Sequence, residues 1–139
     1  MVDYQVRDLS ALADEALAAL EEGGRPGFPL IEGRVLAVQV TPEHGTSSDI
    51  AIGVAALPSG FSTPDHTHRA EEIATVLRGS GSITIEGTTI DVTPGSVVVT
   101  PPYAHHVTTA GPDGPMVVFW MYAPAGSEQR WLAQDRDSR

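Results

Sequence analysis

The sequence contains no cysteine, which excludes disulfide scaffolds, thiolate metal sites and cysteine nucleophiles. Lysine is absent too, every basic side chain being arginine, so Schiff-base and lysine-nucleophile chemistry go with it. Positive charge is scarce: 8 basic residues face 18 acidic ones, and a formal net charge of −10 repels phosphate backbones and anionic lipid surfaces. Nucleic acid is therefore not an expected partner. No run approaches the roughly 18 apolar residues of a membrane span, and the opening Met1-Val2-Asp3-Tyr4 lacks a basic-then-apolar signal pattern. The expectation is a soluble, cytoplasmic protein without a membrane partner.

Turn residues, by contrast, are plentiful. The chain carries 14 Gly and 11 Pro, above the ordinary combined usage of roughly 12%. Its 139 residues suit one domain, since single domains cluster at roughly 100–150 residues. Leu9, Leu12, Ala13, Ala16, Leu17 and Leu20 recur at helical spacing, and Gly23-Gly24 follows as a stop. This predicts an amphipathic helix over residues 8–22 that covers one end of a barrel or meets another subunit.

From Arg34 the period changes to β-branched and apolar runs. Candidate strands are Val35–Val40, Ile50–Leu57, Ile73–Leu77, Ser82–Ile85, Thr89–Val92, Ser96–Val99, His106–Thr109 and Met116–Tyr122. Turn chemistry separates them, as in Gly79-Ser80-Gly81, Glu86-Gly87 and Thr93-Pro94-Gly95. About eight short, evenly spaced strands point to an all-β sandwich or barrel. The expected organisation is a helical or extended arm over residues 1–33, a barrel over 34–126 and a tail over 127–139. In that tail Arg130, Trp131 and Leu132 form a last helical turn before a frayed end at Asp135–Arg139.

Five histidines are the composition's main resource for chemistry. His66-Thr67-His68 puts two imidazoles on one face of an extended segment, and Glu72 shares their parity if that geometry persists, whereas Glu71 does not. Two imidazoles and a carboxylate suit a divalent first-row ion such as iron, manganese, nickel, cobalt or zinc. A further ligand has to come from elsewhere. The remaining pair, His105-His106, has opposite parities, so only one of the two faces inward.

These residues resemble the cupins. Gly60, His66, His68, Glu72 and Gly79 match the first cupin motif, G(X)5HXH(X)3E(X)6G, position for position. Gly95, Pro101 and His106 match the second, G(X)5PXG(X)2H(X)3N, where Tyr103 replaces a glycine and Ala110 an asparagine. The resemblance covers residues 50–122 and implies a single-domain jelly-roll β-barrel; the N-terminal amphipathic helix and the tail lie outside it. It also implies one divalent transition metal per chain held by His66, His68, Glu72 and His106, and a homodimer. It selects His106 over His105; His44, in a polar turn, is not expected to be a ligand.

Four protein ligands leave one or two positions open on a five- or six-coordinate ion, the arrangement of a catalytic site. Val76, Thr108, Trp120 and Tyr103 are candidate pocket residues. Either Trp120 with Tyr122 or Phe119 with Met121 turns inward, and Tyr103 either gates the barrel mouth or lies on the surface. No arginine falls convincingly on the inward faces, which favours a neutral or phenolic small molecule. The leading expectation is a metal-dependent enzyme that cleaves or oxygenates an enol or phenol with O₂. The alternatives are an O₂-independent cyclase or isomerase and a binding module without turnover. Glu72 is first a ligand and secondarily a proton acceptor.

Overall fold

The structure, a computed structural model, describes residues 5–45 and 49–137, with no side-chain description for 136 and 137. The opening Met1-Val2-Asp3-Tyr4 and the last two residues of the expected frayed end lie outside the described residues.

The predicted helix is present as α1, Leu9–Glu22. Asp8 caps its start by accepting the Ala11 N–H at 3.0 Å, and Gly23 ends it in the left-handed conformation at φ 77°. Among the described residues nine strands follow: β1 (Leu30–Ile31), β2 (Arg34–Val40), β3 (Ala51–Leu57), β4 (Glu71–Arg78), β5 (Gly81–Ile85), β6 (Thr88–Val92), β7 (Val97–Thr100), β8 (His106–Ala110) and β9 (Met116–Ala123). The eight expected strands all form, with ends moved by one or two residues. The ninth, β1, is two residues long, too short to leave a periodic signal, and pairs with β2.

All pairings are antiparallel, in a six-stranded sheet ordered β1-β2-β3-β9-β4-β7 and a three-stranded sheet ordered β6-β5-β8. Ile83, Val92 and Ala110 of the small sheet pack with Ala74, Val76, Val118 and Trp120 of the large one, so the two sheets enclose one core. A second core lies on the outer face of the large sheet, where Leu12, Ala13, Ala16 and Ala19 of α1 meet Val35, Ala37, Val54, Ala56 and Val117. The helix therefore covers a sheet face, and the small alanine side chains let it approach closely. This explains why β3 is buried on both sides: alternate residues serve the two cores.

The tail is more ordered than the single turn expected. Helix α2 runs Gln129–Asp137, so Asp135 is helical. Burial of Trp131 and Leu132 anchors it, and the fully buried Glu128 ties its start to the barrel. One Glu128 carboxylate oxygen accepts the Thr41 hydroxyl at 2.7 Å and the other the Gly126 N–H at 2.6 Å.

Gly53 on β3 lies flat beneath the indole of Trp120, and a Cβ there would collide with that ring and with the Ala37 carbonyl oxygen. Gly53→Ala is expected to lower stability by about 1–3 kcal/mol through overpacking, read from urea denaturation. An unchanged midpoint would mean that Trp120 moves freely.

Candidate metal centre

The segment between β3 and β4 carries His66 and His68, and it is not a regular strand. It runs antiparallel beside β8 through isolated bridges, Ser62 with Thr109 and His66 with His106. The His106 N–H donates to the His66 carbonyl at 3.1 Å, and the Tyr103 N–H donates to the His68 carbonyl at 2.8 Å. Extended backbone over residues 66–68 gives the two imidazoles a common face. A bend at Arg69 and Ala70 then breaks the extension, so the parity count to Glu72 does not apply. Glu72 reaches the interior for a different reason: it sits near the start of β4, in register with Tyr122 on one side and Thr100 on the other.

The result is a tight group. Ring centroids are 4.2 Å apart for His66 and His106, 4.8 Å for His68 and His106, and 5.8 Å for His66 and His68. One ligand nitrogen from each of the three lies within 4.8 Å of the others. Oε2 of Glu72 lies 3.0 Å from Nε2 of His106 and 3.5 Å from Nε2 of His68. His105, with the other parity, points outward with its side chain 63% exposed, Nδ1 being 3.2 Å from Asp65. His44 is exposed on a one-turn 3-10 helix, Pro42–His44.

Each inward imidazole is oriented the same way. Nδ1 faces a backbone carbonyl two residues off: Pro64 at 2.7 Å for His66, Ala70 at 2.9 Å for His68 and Ala104 at 2.9 Å for His106. A carbonyl only accepts, so Nδ1 carries the proton and Nε2 of the neutral ring presents a lone pair. Nε2 of His68 and of His106 are buried without a hydrogen-bond partner among the described residues, although the Glu72 carboxylate lies near both. This is the donor set and the outer support of a histidine metal site.

The electrostatics agree. Burial on its own would raise the Glu72 carboxyl, but the adjoining His106 and His68 imidazoles outweigh it and pull the value from 4.5 down to about 2. Burial likewise lowers His106, yet the Glu72 carboxylate overcomes it and the net shift is upward. His66 shifts down, chiefly through burial.

The cupin-domain family profile matches residues 53–122, which hold all four of these side chains. The chain belongs to the cupin family. Among curated proteins it is similar to the dimethylsulfoniopropionate lyase DddW of Ruegeria pomeroyi, 30% identical over 95 residues that make 68% of this chain. The match takes in 60% of that lyase's length. Among solved structures, the dimethylsulfoniopropionate lyase DddQ of the same organism superposes with TM-score 0.52 at 30% identity, over 58% of this chain and 40% of that one. Salicylate 1,2-dioxygenase of Pseudaminobacter salicylatoxidans superposes with TM-score 0.66 at 18% identity, over 83% of this chain and 32% of that one, a likeness of fold.

A cavity of about 50 Å³ opens beside His66, Glu72 and His106 in this cupin, several times the space that one water needs. Thr108 and Trp120 line it as expected, and of the two aromatic pairs it is Trp120 with Tyr122 that turns inward, their rings stacked 4.6 Å apart. Val76 packs in the core away from the cavity lining, and Tyr103 does not line it either. Tyr103 is 64% exposed with φ 63°, the left-handed conformation that explains the glycine of the family motif at this position. A β-bulge after Val76 turns Arg78 outward to Ser10 and Asp14 of α1.

Two cavity residues were not expected. Arg34, only 4% exposed, lines the wall, which corrects the expectation of a cavity without arginine. Its apolar neighbours Val35 and Leu36 made it read as the flank of a strand. Trp131 of α2 also lines the cavity, with Arg34 over its ring at 4.9 Å and its Nε1 donating to the Tyr122 hydroxyl at 3.3 Å. It lies outside both family motifs, and only its apolar neighbour Leu132 hinted at burial.

The Glu72 and His106 shifts set a pH window for the metal-free protein. A carboxyl lowered on folding stabilises above its ordinary value of 4.5 and loses that contribution as pH falls toward 2. A raised imidazole stabilises below 6.5 and loses its contribution as pH rises through the folded value, while His66 acts in the opposite sense. The stability difference between wild type and Glu72→Gln, measured by denaturation of chelator-treated protein, is expected to peak between pH 4.5 and 6.5. Its size there should be about 1–3 kcal/mol. A difference that does not change with pH would remove the coupling.

Proposed function

We propose that this cupin is a metal-dependent enzyme that activates an oxygen-bearing small molecule without consuming O₂. The observation that carries the proposal is the convergence of His66, His68 and His106, with Glu72 beside the last two and with the buried Nε2 atoms of His68 and His106 lacking a hydrogen-bond partner among the described residues. These four residues would hold a divalent iron, manganese, nickel, cobalt or zinc ion, which would supply Lewis acidity toward a substrate oxygen.

The protein's own groups divide the remaining work. Glu72, with its carboxyl drawn down to about 2, is a weak base, which favours a ligand role over proton abstraction. Burial, reinforced by the Glu72 charge, raises the Tyr122 phenol, so it stays protonated. Its oxygen already accepts from Trp131, and toward the cavity the hydroxyl acts as a donor that stabilises negative charge developing on a bound oxygen. Trp131 and Trp120 close the walls and keep water from the reacting bond.

The relatives support one of the two chemistries the sequence left open. The two matches at 30% identity are both named lyases, enzymes that break a bond by elimination and need no oxidant. The dioxygenase likeness stands at 18% identity and carries the fold alone. The balance therefore moves from O₂-dependent cleavage to O₂-independent elimination or isomerisation.

Elemental analysis of protein purified without chelator is expected to find close to one divalent transition ion per chain. Loss of occupancy is expected in His66→Ala, His68→Ala, Glu72→Ala and His106→Ala. His105→Ala should retain it, and equal loss there, or a protein that stays metal-free after reconstitution, would sink the site. An oxygen electrode separates the chemistries: turnover of small acids, enols and esters by iron, manganese or nickel forms should proceed with no O₂ uptake, and stoichiometric uptake would restore the dioxygenase reading.

A further inference from the structure

Arg34 is a buried cation that forms no ion pair among the described residues. Its Nη1 donates to the Ile31 carbonyl at a long 3.4 Å, and its guanidinium stacks on Trp131. Among the described residues no carboxylate forms an ion pair with it. The acidic neighbour two residues away, Glu32, is already engaged by Arg130 at 3.1 Å and by Gln134 at 2.9 Å. Burial pulls the guanidinium down from its ordinary value, although an arginine stays charged. A charge so enclosed is held at a free-energy cost unless something of opposite sign meets it.

The same cavity is lined by other polar groups. The Tyr122 hydroxyl, which accepts from Trp131, has its own O–H to give, and the buried indole N–H of Trp120, another wall residue, has no hydrogen-bond partner among the described residues. The wall carries one carboxylate, Glu72, and that carboxylate is turned to the histidines. A guanidinium, an indole N–H and a phenol in one small enclosure form a surface complementary to an acceptor-rich anion. Guanidinium forks match carboxylates in two parallel hydrogen bonds, a geometry that a neutral alcohol or phenol leaves half used.

We infer that Arg34 is the specificity-determining residue of the cavity and that the substrate is a small carboxylate, its acid group held by Arg34 while a second part of the molecule reaches the histidine cluster. The inference deepens the proposed function by naming the substrate class, and it rests on that reading only for the far end of the molecule. Charge balance supports it: Glu32 and Glu72 act on the enclosed guanidinium through space without forming an ion pair with it, and an anionic ligand lowers the cost of holding that charge.

The test compares each acid with its nearly isosteric neutral amide: propionate with propionamide and benzoate with benzamide, in metal-loaded and in chelator-treated protein. Binding is followed by NMR through the indole N–H signals of Trp120 and Trp131. In both forms of the protein the fitting acid is expected to bind about tenfold or more tighter than its amide. Arg34→Gln should erase that preference, and Arg34→Lys, which keeps the charge and the stem packed on Trp131, should retain part of it. Equal affinity for acid and amide in the wild type overturns the inference, as does a Gln variant that keeps the full preference or the absence of carboxylate binding altogether. Should Gln not fold, Lys binding the acid as tightly as wild type overturns it too. A carboxylate preference in a protein that takes up no metal would leave this inference standing and remove the metal-dependent reading, so the two fail separately.

Discussion

Three hydrogen bonds from imidazole Nδ1 atoms to backbone carbonyls decide what the interior of this barrel can do. Pro64, Ala70 and Ala104 each lie two residues from the histidine they orient, so the tautomer is set locally by chain geometry. Reversing any of these rings would place an N–H in the centre of the cluster and destroy its capacity to accept. With the rings as they stand, the cluster presents imidazole lone pairs beside one carboxylate. An unsatisfied buried polar group costs about 1–3 kcal/mol, so such an arrangement detracts from the metal-free protein and favours a cation at the cluster. The upward shift of the His106 imidazole has the same origin: the adjacent Glu72 carboxylate outweighs burial and favours positive charge at this position.

Everything else in the fold serves to hold that group in a dry, shaped space. Antiparallel pairing puts Glu72 and Tyr122 side by side on β4 and β9, and β8 brings His106 against the loop that carries His66. Helix α1 seals the outer face of the large sheet, which frees β3 and β9 to present Ala55, Trp120 and Tyr122 inward. Helix α2 closes the remaining side by inserting Trp131, and the buried Glu128 fastens that helix to Thr41 across the barrel. Both helices are therefore part of the site's architecture, although neither supplies a metal-ligating side chain.

Much of this was legible from residue order alone. Strand periods of two and the turn dipeptides located eight strands; parity paired His66 with His68, and the cupin resemblance added His106. The parity argument for Glu72 reached the right orientation through a geometry that the bend at Arg69 and Ala70 does not keep; strand pairing with β9 supplies the real cause. What escaped was long-range. Arg34 is a charged residue at the edge of an apolar run, and only the closure of the barrel brings its side chain into the cavity. Trp131 sits in a short polar helix whose burial depends on a barrel end that is distant in sequence. Tyr103, a family departure placed among the pocket candidates, turns out to mark a backbone constraint at positive φ.

The net charge of −10 says little about such a site. Surface carboxylates act through water and salt with a screening length of about 8 Å, whereas groups inside the cavity interact at low effective dielectric and are screened much less. A chain that repels polyanions at a distance can therefore still bind a small anion once it passes the mouth. The acidic surface opposes encounter weakly, and the enclosed guanidinium and donor groups act on what has entered. Among anions this combination discriminates by size and charge count: an extended polyphosphate meets the whole repulsive surface, and a compact monoanion meets mainly Arg34 and the walls around it.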